Sequence, residues 1–98
     1  PGTPAGPTLV SPYQDAHVSA GNVTFKWNEV YFAYRYTLAV CQTQNLQNCT
    51  IHEPEPGITQ HSVWLSAGTY WWSVRSIRPC DYNGWGSYTL PTHKVVVQ

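Results

Sequence analysis

Leu65-Ser-Ala-Gly-Thr-Tyr-Trp-Trp-Ser-Val-Arg75 is the stretch from which the fold can be read. A Gly-Thr turn leads into a segment whose side chains alternate: Tyr70, Trp72 and Val74 point one way, Trp71, Ser73 and Arg75 the other. Period-two alternation directly after a turn glycine predicts a central strand of a half-buried antiparallel sheet. Working outward, Val23-Thr-Phe-Lys-Trp27 repeats the pattern, with Val23, Phe25 and Trp27 inward and Thr24 and Lys26 outward. Tyr34 to Cys41 does the same, with Tyr36, Leu38 and Val40 inward and Arg35, Thr37 and Ala39 outward. Leu9 to Pro12 reads as a short edge strand closed by proline. Further short strands are expected at Thr50 to His52, Ser62 to Leu65 and Thr92 to Val97, with Glu53-Pro-Glu-Pro-Gly57 as a break. No helical periodicity occurs, so the expected class is all-β: a seven-stranded antiparallel Greek-key β-sandwich.

The 98 residues leave room for one domain, at 8–98. Pro1-Gly-Thr-Pro-Ala-Gly-Pro7 reads as a Pro/Gly linker, residues 1–7, to a preceding domain. The absence of an initiator Met and of a signal peptide suits a fragment or processed module. Charged residues make up 10% of the chain and the formal net charge is zero. That lacks the electrostatic footprint of a nucleic-acid binder. No apolar run approaches the ~20 residues of a membrane span. Aromatics make up 14%, five of them Trp.

Taken together, these motifs resemble the fibronectin type III-like and related immunoglobulin-like modules of secreted, especially bacterial, multidomain proteins. Leu9-Val-Ser-Pro12 is similar to the family's opening strand. Trp27 is similar to the family's strand B tryptophan, Val30-Tyr-Phe-Ala33 to the Val-Pro-Gly-Ala-like bend after it, Tyr36 to its strand C tyrosine, and Gly68 to Val74 to its Gly-Thr-Tyr-x-Trp-x-Val strand. Trp85-Gly-Ser87 matches the step before the last strand. Tyr70 stands where the family has its tyrosine corner, an aromatic that fixes the crossover into the strand. The resemblance implies an extracellular or cell-surface accessory module, and it specifies a fold without a chemistry.

Two departures from the family pattern supply candidate ligand-binding residues. Tyr31 and Phe32 stand where the family has a small Pro-Gly bend. The connection Pro79-Cys-Asp-Tyr-Asn-Gly-Trp85 adds Tyr82 and Trp85 beside Asp81 and Asn83. In a sandwich of this topology both connections lie at one end, together with Asn28 and Glu29. Aromatic faces beside acidic and amide groups suit sugars: rings cover apolar C–H faces while polar groups meet the hydroxyls. The competing reading is that these rings cap the open end of the core. A second candidate is Trp71 with Arg75, on the outer face beside Ala39, Ser73, Thr37 and Arg35, as a platform for a polysaccharide; a neighbouring module or Arg75 itself is the competing cover. Trp64 is expected to face outward on the other sheet, alone.

Chemistry of other kinds finds little support. Cys41 and Cys49 flank an Asn-containing turn, and if they pair, closing so short a loop contributes roughly 2.5 kcal/mol. Cys80 is left over, as a lone thiol or an intermolecular bridge. Cysteine usage leans extracytoplasmic. His52, Glu53 and Glu55 lie close in sequence but lack the spacing of a Ca²⁺ loop. His17, His61 and His93 make no pair with zinc-ligand spacing. There is no Gly-x-Ser-x-Gly elbow or phosphate-cradling glycine loop, so neither enzyme activity nor a cofactor is expected. Asn22-Val-Thr24 and Asn48-Cys-Thr50 match the glycosylation acceptor pattern, which arises readily by chance in such a composition. The expected function is non-catalytic carbohydrate binding, with a structural spacer or protein–protein adhesion module as the alternative. Its partners are a polysaccharide or a neighbouring domain.

Overall fold

A computed structural model of the chain describes residues 7–30, 33–77, 88–89 and 92–98. Eight strands, β1 (Leu9–Ser11), β2 (Ala16–Val18), β3 (Gly21–Trp27), β4 (Arg35–Cys41), β5 (Cys49–His52), β6 (Gln60–Leu65), β7 (Gly68–Ile77) and β8 (His93–Val97), form two sheets. The smaller has the order β1-β3-β6, the larger β2-β8-β7-β4-β5. β3 behaves as its alternation requires: Val23, Phe25 and Trp27 are buried, Asn22, Thr24 and Lys26 exposed. One face of a strand against a core and the other in water is the simplest reading of period two.

The core lies between the sheets and is aromatic at its centre. Trp72 is fully buried, with its ring edge-on to Phe25 at 5.1 Å and to His93 at 5.8 Å. Its indole N–H donates to the Pro12 carbonyl at 3.2 Å, so the ring is buried without an orphan donor. Trp27 packs on Tyr36 at 5.9 Å, and the Tyr36 hydroxyl accepts the Val30 N–H at 2.9 Å. That bond pins the chain leaving β3 to the start of β4. Tyr70, at the start of β7, donates its hydroxyl proton to the Ser66 carbonyl at 2.9 Å, closing the turn between β6 and β7 as a tyrosine corner does.

Three departures from the sequence expectations have physical causes. The count is eight strands, because β2 pairs in parallel with β8 through Ala16–Val95, His17–Val96 and Val18–Val97. β2 is three residues long with one buried side chain, Ala16, too short to show a period. Second, β4 is buried on both faces. Thr37, Ala39 and Cys41 point away from the core, yet each is at most 1% exposed, and Ser73 opposite Ala39 is fully buried. The far face of the central strands has a polar cover: Ser73 donates its hydroxyl proton to the Thr89 carbonyl at 2.6 Å, and Thr92 donates to the Gln44 carbonyl at 3.1 Å. Third, the packed sandwich includes Pro7, assigned to the linker from sequence. Pro7 is buried and its carbonyl accepts the Thr89 hydroxyl proton.

Candidate ligand-binding surfaces

The first sequence candidate, Tyr31, Phe32, Asp81, Tyr82, Asn83 and Trp85, lies outside the described residues, as does Cys80. The framework that carries those two connections is described. Arg35, the first residue of β4, pairs with Ile77, the last of β7. The strand entered from the Tyr31-Phe32 bend therefore begins beside the point where the 78–87 connection leaves. Asn28 and Glu29 are exposed after β3, and Tyr34, placed in the strand by the sequence pattern, precedes β4 and is 51% exposed. Beside them Arg35 is held in place: Nε donates to the Pro54 carbonyl at 3.1 Å and Nη1 meets Glu53 at 3.3 Å. Half-exposed, that ion pair stabilises little, and it occupies one of the carboxylates considered for a cation. Among the described residues no group of three His, Cys, Asp or Glu side chains converges on a metal position.

The second candidate, Trp71 with Arg75, lies on β7. Trp71 is opposed by Cys41 on one side and Lys94 on the other, and Ala39, opposite Ser73, is its diagonal neighbour on β4. Ala39 and Ser73 are buried, and Trp71 is partly exposed. The Arg75 guanidinium sits over the Tyr88 ring, 5.0 Å from its centroid, a cation–π contact. Burial raises the Tyr88 pKa, and the nearby Arg75 charge opposes that shift.

A third surface was missed in the sequence. Trp64, expected to stand alone, is 68% exposed at the rim of a cleft of about 220 Å³ between the edges of the two sheets. Val40 and Leu65 form its floor. Tyr70 lines it from the start of β7, and Gln42 and Asn48 from the hairpin between β4 and β5. Those last two flank the Cys41–Cys49 disulfide, whose Cα atoms are 3.9 Å apart. Asn48 takes a left-handed φ of 56°, a conformation Asn adopts more readily than most residues. Inside the hairpin the Gln47 N–H donates to Thr43 Oγ1 at 3.0 Å. No spacing rule in the sequence links Trp64 to residues 42 and 48.

A histidine pair closes the same edge of the sandwich further along. His52 of β5 and His61 of β6 lie with ring centroids 5.3 Å apart, and His52 Nε2 is 3.1 Å from Thr50 Oγ1. Burial, and secondarily the His61 charge, lower the His52 pKa. The unfolded chain then binds a proton that the folded one resists. Stability contributed by a neutral His52 is complete above the ordinary value of about 6.5 and erodes as pH falls below it. Thermal melts at about pH 7.5 and about pH 5.5 check this: the wild type loses more stability across that interval than His52→Gln does. Equal losses contradict the assignment.

No protein-family model and no curated protein sequence matches the chain. Solved structures do. The chain superposes on fibronectin(III)-like modules of CbhA from Clostridium thermocellum with a TM-score of 0.66, covering 94% of this chain and 95% of that one at 12% identity. It also superposes on part of a beta-1,2-glucanase from Parabacteroides distasonis with a TM-score of 0.66 at 13% identity. There 97% of this chain corresponds to 13% of the larger one. At such identities the likeness is one of fold: an all-β, fibronectin(III)-like sandwich.

Proposed function

We propose that this fibronectin(III)-like sandwich is a non-catalytic accessory module of an extracellular multidomain protein and binds carbohydrate through the aromatic connections at one end. The observation that carries the reading is the Arg35–Ile77 pairing, which sets the anchors of the two aromatic connections side by side. On those connections Tyr31, Phe32, Tyr82 and Trp85 offer stacking faces, and Asp81 and Asn83 offer hydroxyl partners. Trp71 with Arg75 remains the secondary surface. The structural likeness supports an accessory role. The fold matches a separate module end to end and recurs as a minor part of a glucanase chain. Among the described residues no helix is long and apolar enough to cross a membrane.

The test is retention on a panel of insoluble and soluble polysaccharides, by pull-down and affinity gel, with Tyr31→Ala/Tyr82→Ala run beside the wild type. One polymer is expected to retain the wild type and to lose the double variant. Stability of the variant stays within about 1 kcal/mol, twice the about 0.5 kcal/mol of a single surface substitution. Retention of neither protein on any polymer moves the assignment to a spacer or protein-adhesion module. A large fall in stability places the two rings in the core.

A further inference from the structure

The geometry points to a second carbohydrate site: the cleft beside Trp64 binds a single neutral sugar ring, stacked on the indole and held by the amides of Gln42 and Asn48. This rests on the carbohydrate reading above and uses residues that reading does not.

Four observations carry it. First, Trp64 is an outward-facing indole, 68% exposed, at the mouth of a real concavity, unlike an isolated surface ring. Second, the lining is apolar at the floor, with Val40 and Leu65, and amide-bearing at the rim. Among the described residues the Gln42 and Asn48 side chains make no hydrogen bond, whereas their neighbours are engaged. Thr50 Oγ1 donates to the Val40 carbonyl at 3.4 Å, and the Tyr70 hydroxyl donates to Ser66. The two amides supply donors and acceptors together, which is what paired hydroxyls on a pyranose require. Third, no lining residue carries a charge, so the ligand is neutral. At about 220 Å³ the cleft is below the size range of drug-sized ligands and suits one ring at the end of a chain or as a branch.

The fourth observation is rigidity. Gln42 directly follows Cys41 and Asn48 directly precedes Cys49, so the disulfide ties the backbone positions that carry the two amides to each other covalently. The Gln47–Thr43 bond closes the loop between them. A rim whose backbone is held before binding has less conformational freedom to lose when a ligand arrives. The disulfide thereby has a role in recognition beyond its role in stability.

The experiment is a titration of ¹⁵N-labelled protein with methyl β-D-glucopyranoside, methyl β-D-galactopyranoside, methyl α-D-mannopyranoside and N-acetylglucosamine, followed at the Trp64 indole N–H and the Gln42 and Asn48 side-chain amides. Saturable shifts at all three with at least one sugar are expected. Trp64→Ala weakens binding about tenfold or more, and Asn48→Ala by several-fold. Reduction of the disulfide weakens it too, in a protein whose spectrum stays dispersed. Tyr31→Ala/Tyr82→Ala leaves these shifts in place. No shift at Trp64 with any of the sugars overturns the inference, as does wild-type affinity in Trp64→Ala. If polymer retention depends on Tyr31 and Tyr82 while the Trp64 signals never move, the end site stands and the cleft falls. Shifts at Trp64 without polymer retention have the opposite meaning: the cleft stands and the end site falls.

Discussion

Truncating Trp72 to alanine is expected to cost about 3–5 kcal/mol, the range for deleting a large aromatic from a packed core. The side chain is fully buried, edge-on to both Phe25 and His93, and bridges the two sheets from the middle of β7. Its loss leaves a cavity and also orphans the Pro12 carbonyl, which takes the indole N–H across 60 residues of sequence. Total stabilities of small domains are about 5–15 kcal/mol, so this single change takes a large part of the margin. In a domain of this size it lowers the melting temperature by roughly 15 °C or more. A thermal melt beside Trp64→Ala checks the account. The exposed Trp64 is expected to change stability by no more than about 0.5 kcal/mol. Comparable effects for the two tryptophans contradict the assignment of Trp72 to the centre of the core.

Removing the Cys41–Cys49 bond is the second large effect. The bond joins register partners at the end of the β4–β5 hairpin, eight positions apart in sequence. Freeing so short a loop in the unfolded chain costs roughly 2.5 kcal/mol in the chain-entropy account. Cys41 is also fully buried, so replacing both cysteines by alanine loses some packing as well. Denaturant unfolding of Cys41→Ala/Cys49→Ala, beside the oxidised and reduced wild type, is the measurement. The oxidised protein is expected to have the higher midpoint, with the reduced wild type close to the variant. Coincident midpoints in all three show that the bond does not form in solution. Loss of sugar binding at Trp64 on reduction, without unfolding, separates the recognition role from the stability role.

Most of the sandwich is legible in the sequence, for identifiable reasons. The inward side chains of β3 and β7 lie between one sheet and the other, so they show as a strict period of two. The tyrosine corner is legible because Tyr70 and Ser66 are four residues apart and the bond is local. What alternation hides is the state of the outward face. Thr37, Ala39, Cys41 and Ser73 are buried there, and all four are small. That run of small side chains on a polar-looking face is the sequence trace of a covered sheet, and it bears directly on Trp71. β2 is illegible because three residues, paired in parallel through β8, show no period. The Trp64 cleft is illegible for another reason: its walls come from the β4–β5 hairpin, the end of β6 and the start of β7, which only the closed sandwich brings together.

The proposed end site is reached by topology. The strands that flank the two aromatic connections are known to start and stop together through Arg35 and Ile77. Whether the aromatic residues on them act as one ligand surface is the central claim, and a shift map with an oligosaccharide cut from the retaining polymer tests it most directly. The account predicts that the backbone amides of residues 31–32 and 81–85 shift together and saturate with one dissociation constant. A saturable map that leaves both connections unmoved, or moves only one of them, contradicts it.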